Sequence, residues 1–217
     1  DAIDHGRNRA RSRVFAVALV LMHPGAHDKP VPDDDRLALY IQHDGIQDPS
    51  HDMWKEDEGR AFWNAPEQAP VRKRLLDKVA QEGVTPAVAF DRLWTWLSDK
   101  AKTHPDLVLL DDGGGDWDVI NFNLARHTQH DIVQYVRGKY MPYFDFNSYC
   151  MGLARKTWAD DWWGNGADAV RALGITLPDW KVPHDHDPLN DAERYARTCV
   201  FLLGHLRSLA ARKKRKA

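Results

Sequence analysis

The chain has 217 residues, 43% of them hydrophobic and 29% charged, with a formal net charge of −2. This composition argues against a chain disordered throughout, and the near-neutral balance argues against nucleic-acid binding by bulk charge, leaving only a local basic patch for that role. The length suits one sizeable domain. Cys150 and Cys199 match neither a metal-binding nor a redox spacing, and two cysteines do not make a disulfide framework, so reduced thiols inside a cell are expected. The longest apolar run, Val14 to Met22, falls well short of the ~20 residues that span a bilayer. No small-residue cleavage site follows it, so no signal peptide is expected. The expectation is a soluble, intracellular, cytoplasmic protein with no membrane partner.

In chain order, "RVFAVALVLM" (13–22) reads as a buried strand, being rich in Val, Leu and Phe. Turn chemistry fills 23–35, and "RLALYIQ" (36–42) reads as the partner strand. Residues 43–53 are polar and read as irregular. Helical spacing follows over Val71–Glu82 and again over Pro86–Lys102, where Pro86 suits a first helical turn. "DLVLLDD" (106–112) is a short apolar run ending in acids, followed by Gly113, Gly114 and Gly115. Helical spacing resumes over Asp116–His127, with Val119, Ile120, Phe122 and Leu124 available for burial. An extended piece is expected near Tyr143–Phe146, with helical signal near Asn147–Arg155 and Ala167–Leu173. The last helix is expected to start near Asp187–Asn190 and to run to about Arg207. With no internal repeat and no long linker, a single domain over 1–208 is expected, then a basic tail over 209–217. Strands first and helices interleaved later give an α/β or α+β class with helices packed on a sheet. The closing "RKKRKA" reads as a solvated tail, with nuclear targeting or a phosphate-binding arm as its functional alternatives.

Three stretches place acids beside structural boundaries. In "VPHDHDPLNDAERYA", a cap at Asp187 or Asn190 puts Asp191 in the first turn of the last helix and His186 on the loop before it. That arrangement suits a fixed metal ligand beside a histidine that takes a proton from an attacking water. Its structural alternative is an acidic cap that complements the helix dipole. Zinc held by His184 and His186 lacks supporting ligands at the right spacing. In "LVLLDDGGGDWDVINFNLARH", a strand, a glycine-rich turn and a helix bring Asp118 to the end of the sheet. No Gly-Lys-Ser/Thr follows the glycines, so a nucleotide P-loop is not indicated. The third stretch is the opening "DAIDHG", with Asp1, Asp4 and Gly6 ahead of the first long strand; alone it reads as a disordered end.

Together these stretches resemble the DEDD-type 3′–5′ exonucleases with a catalytic histidine, the RNase T and proofreading-exonuclease group. That family's third motif is His, four residues, then Asp and commonly Ala, matched by His186, Asp191 and Ala192. Its second motif is an aromatic followed by Asp at a helix start, matched by Trp117-Asp118. Its first motif is Asp-x-Glu-x-x-Gly, of which Asp1 and Gly6 are present. "AFWNAPEQAPVRKRLL" and "LWTWL" are similar to Phe-Trp and Trp-Leu landmarks of viral and bacterial members. "WGNGAD" (163–168) is a rival for the second motif, but it lies too close to His186. The motifs in order cover nearly the whole chain. A strand is expected upstream of Asp1, so the chain is expected to begin inside a longer protein.

The resemblance implies an RNase H-like mixed central sheet with helices on both faces. It further implies hydrolysis of single-stranded DNA or RNA from the 3′ end, with release of nucleoside 5′-monophosphates. Two Mg²⁺ or Mn²⁺ ions would be held by Asp1, Asp118 and Asp191, with His186 as general base. Trp117 is a candidate for stacking on a base, and Asp4 is a weaker candidate near the substrate. Ile3 departs from the pattern, standing where the family has its glutamate. Isoleucine binds no cation, which implies weaker binding of one metal and reduced turnover. Asp4 would face the opposite side of a strand and is a poor substitute. A second expectation follows: a catalytically impaired exonuclease-fold protein that binds nucleic acid or a protein partner.

Overall fold

A computed structural model describes residues 2–3, 13–46, 63–111, 116–130, 143–145, 170–171, 174–183 and 185–214. Their best-formed ladder is the antiparallel hairpin of β3 (Ala16–Val20) and β4 (Arg36–Tyr40), in register from Ala16↔Tyr40 to Val20↔Arg36. β1 (Ala2–Ile3) pairs antiparallel with β2 (Arg13–Val14), through Ala2↔Val14 and Ile3↔Arg13. β5 (Leu109–Asp111) and β6 (Tyr143–Asp145) pair in parallel. The expected strand over 13–22 is therefore two, interrupted by a bend at Phe15. The ladders include both strand directions, but each is two-stranded among the described residues, and a continuous mixed sheet is not drawn by them.

The hairpin is covered on both faces, and strand periodicity decides which side chain goes where. Val17, Leu39 and Ile41 point into a cluster with α2 (Pro86–Thr103) and α3 (Asp116–His127), where Phe90, Leu93, Leu97 and Leu124 are fully buried. Phe15, Ala16 and Tyr40 point the other way, to Trp63, Leu75 and Val79, the last two on α1 (Ala69–Glu82). A third cluster joins Val170 to Cys199 and Leu202 of α4 (Pro188–Lys214). Burial of each such aliphatic or aromatic side chain stabilises by roughly 1.5–3 kcal/mol relative to exposure.

Local chemistry sets the helix ends. Pro70 sits in the first turn of α1, and Thr85 with Pro86 opens α2. α1 stops at Gly83, where a Cβ would collide with the Val79 carbonyl oxygen, so the close approach requires glycine. Lys100 and Lys102 in the last turn of α2 complement its dipole, and Lys100 also pairs with Asp35 at 2.7 Å, tying the helix to the 21–35 loop.

Three of the expected helices, over 71–82, 86–102 and 116–127, agree with the structure to within two residues, and two expectations are corrected. α4 continues to Lys214, beyond Arg207, so residues 209–214 extend the helix instead of trailing from it. Alanines favour helix, and basic residues suit the negative end of the dipole, so the tail sequence favours continuation. Phe122, expected in the core, is 48% exposed, because α3 buries Trp117, Ile120 and Leu124 and turns position 122 outward. The helix expected at 147–155 and the "WGNGAD" stretch lie outside the described residues. Of 167–173 only Val170 and Arg171 are described, both helical.

Candidate active site

The corner leading into α4 is the most densely connected part of the expected site. Asp187 caps the helix, with Oδ1 accepting the Leu189 N–H at 3.1 Å, while its carbonyl accepts the Asp191 N–H at 3.0 Å. Pro188 follows as the first helical residue, and Asp191 falls in the first turn. His186 has φ 56°, in the left-handed region, which costs a residue with a side chain about 1–2 kcal/mol. In that conformation its Nδ1 lies 3.8 Å from Asp191 Oδ2, an electrostatic contact rather than a hydrogen bond. Trp63 meets the imidazole edge to face, with ring centroids 6.5 Å apart.

The two acids flanking His186 are each held by α1. Arg74 Nη2 donates to the Asp185 carbonyl at 2.6 Å and lies 3.2 Å from Asp185 Oδ2. Asp185 Oδ1 accepts the Asp187 N–H at 3.2 Å and Asn190 Nδ2 at 3.1 Å. Lys78 Nζ donates to Asp187 Oδ2 and to the Tyr40 hydroxyl, each at 2.8 Å. Burial works against charge on Asp185, but the Asn190 and Asp187 donors and the Arg74 guanidinium outweigh it and lower its pKa. On Lys78 burial is likewise opposed, by the hydrogen bonds with Asp187 and Tyr40, and the ammonium is pushed up to about 12. Burial raises the Tyr40 phenol, against the Lys78 hydrogen bond that favours its ionised form.

One turn along α4, Glu193 and Arg197 are 7% and 8% exposed. Glu193 Oε1 accepts Arg197 Nε at 2.9 Å and Nη2 at 2.6 Å, and its Oε2 accepts Arg36 Nη2 at 2.9 Å. Arg197 Nη1 donates to the His27 carbonyl. This network fixes α4 against the first residue of β4 and the loop before it.

The expected residues separate as follows. His186 and Asp191 come together. Asp118 lies in the first turn of α3, after β5, with its side chain exposed. Asp1 and Asp4 lie outside the described residues, next to β1. Trp117 corrects the sequence reading: it is 5% exposed and packs in the cluster around α2 and α3, so its ring faces no surface where a base stacks. Among the described residues, no three His, Cys, Asp or Glu side chains are grouped to hold a metal ion. The sequence reading took Trp63 only as part of a Phe-Trp landmark and passed over Arg74 and Lys78. Their signal was present: Arg74 and Lys78 each precede a residue of the apolar stripe Leu75 and Val79, so they flank the buried face of α1.

A separate cavity of about 410 Å³ lies at the far end of α3 from Asp118, lined by His43, Asp44, Thr85, Asn123, Arg126 and His127 among others. Burial, then the charges of Arg126 and His43, lowers the His127 pKa.

Comparison with protein-family models, curated proteins and solved structures returns no match. Among the described residues no helix is long and apolar enough to cross a membrane.

Proposed function

We propose that the chain is a metal-dependent 3′–5′ exonuclease that releases nucleoside 5′-monophosphates from single-stranded nucleic-acid ends. The observation that carries this reading is the corner at the start of α4, with Nδ1 of His186 3.8 Å from Oδ2 of Asp191. An imidazole with Nδ1–H toward a carboxylate keeps Nε2 as the nitrogen that accepts a proton, the form a general base requires. The second support is Asp118, an exposed carboxylate in the first turn of the helix that follows β5. In this reading Asp1, Asp118 and Asp191 hold two Mg²⁺ or Mn²⁺ ions. Their oxygens have the donor chemistry of hard cations, although the described residues alone do not complete the set. When bound, the ions supply positive charge to the scissile phosphate. Phe122, exposed one turn after Asp118 on the outer face of α3, replaces Trp117 as the ring on which a terminal base stacks.

A second reading is favoured by Ile3 alone: an impaired exonuclease-fold protein that binds single strands without turnover. A 5′-labelled single-stranded DNA or RNA, incubated with Mg²⁺ or Mn²⁺, tests both. Stepwise shortening from the 3′ end that is abolished by His186→Ala and by Asp118→Asn supports the first. Binding without shortening, with turnover gained by Ile3→Glu, selects the second. Neither binding nor shortening with either metal rejects both.

A further inference from the structure

We propose that Arg74 and Lys78 are positioning residues for His186, fastening the 185–187 corner to α1 so that the imidazole stays beside Asp191. The inference rests on the exonuclease reading for its functional half; its structural half is independent of it. The imidazole sits between two acids, Asp185 and Asp187, and each is claimed by a different cation of the same helix. Arg74 and Lys78 are four residues apart on α1, one above the other on a shared face, while the acids are two apart across a tight bend. The spacing lets one rigid element grip both sides of His186.

The grip has firm backing. Leu75 and Val79, next in sequence to the two cations, are fully buried against Phe15, Tyr40 and Trp63. Lys78 is braced further by the Tyr40 hydroxyl at 2.8 Å and lies over the Tyr40 ring at 5.1 Å. The corner needs such backing because His186 holds a positive φ that a residue with a side chain rarely adopts unaided. Releasing either cation also leaves a carboxylate beside the bend without its counter-charge, one of them on a residue buried to the level of the core, Asp187. The corner then has reason to relax toward negative φ and carry the imidazole away from Asp191.

The test compares the 217-residue chain with its Lys78→Met, Lys78→Arg and Arg74→Met variants, and with Lys102→Met, which removes a surface ion pair elsewhere, as control. Two measurements are made on each: the nuclear Overhauser contact between the His186 and Trp63 rings, together with amide exchange at Leu189 and Asp191; and steady-state trimming of a 5′-labelled single strand with Mn²⁺. The expected result is loss of the ring contact and faster amide exchange in Lys78→Met and Arg74→Met. kcat falls roughly 10- to 100-fold with KM little changed. Lys78→Arg restores both readouts, and Lys102→Met leaves them unchanged. Retention of the ring contact and protection in both methionine variants overturns the proposal, as does an unchanged kcat where the ring contact is lost. If the wild-type chain trims nothing, the exonuclease reading fails, and the ring contact with amide exchange then decides whether α1 holds the corner.

Discussion

Glu193→Ala is expected to unfold the protein more easily than any surface change, because of where it leaves Arg197. The arginine is 8% exposed and directs two of its donors, Nε and Nη2, at Glu193 Oε1. Removing the carboxylate leaves a buried guanidinium held by the His27 carbonyl, which carries no charge to balance it. Breaking a buried pair from one side costs about 3–5 kcal/mol, most of it the uncompensated charge. Arg36 moderates this, since its side chain is 30% exposed and turns to water once released. The lower end, about 3 kcal/mol, is therefore expected. For a chain of this size that lowers Tm by roughly 6–12 °C, at about 2–4 °C per kcal/mol. Urea unfolding followed by circular dichroism measures the loss, with an unchanged m-value certifying the same transition. Glu193→Leu with Arg197→Met removes both charges and is expected to recover most of the stability, since apolar replacements of buried pairs are often neutral or better. A single variant that loses less than about 1 kcal/mol, or a double variant less stable than the single, refutes the reasoning.

Leu93→Ala empties a fully buried position between α2 and the hairpin and is expected to cost about 2.7–5 kcal/mol in calorimetry, with the upper half of that range if the site does not collapse. Asp185 has a folded pKa below its ordinary 3.8, so its contribution is complete above pH 3.8 and is lost as pH falls through the lowered folded value. Asp185→Asn is accordingly expected to flatten the acid limb of stability against pH below 3.8; an unchanged slope contradicts the assignment. Cys199 is buried, and burial pushes its thiol up to about 11, so at pH 8 it is expected to resist alkylation until urea unfolds the chain, read by peptide mass spectrometry.

The helices were legible because their apolar spacing repeats over three or more turns. Ala89, Phe90, Leu93, Leu97 and Ala101 trace one stripe along α2, and Pro86 marks its start. The cap at Asp187 was legible for the same reason, since aspartate followed by proline ahead of an apolar run has a local physical meaning. The burial of Trp117 was also readable, since positions 117, 120 and 124 share a face; the aromatic-Asp pattern drew the residue toward a functional role instead. The long-range ties were not readable. Arg74 meets Asp185 across 111 positions, and Arg36 meets Glu193 across 157. One helix's charges look the same in sequence whether they face water or grip a distant bend. Asp1, the carboxylate of the first motif, lies outside the described residues, so the sequence alone speaks for it.

Because the β3–β4 hairpin is walled by helices on both sides, its two strand faces belong to two different interiors. A slip of β4 by one residue would disturb both at once, moving Leu39 toward α1 and Tyr40 toward α2. Misalignment is thus penalised twice over, and strand alignment does not depend on the connecting segment at 21–35. That segment is a place where added residues should be absorbed at little thermodynamic expense, provided Arg197 still finds the His27 carbonyl.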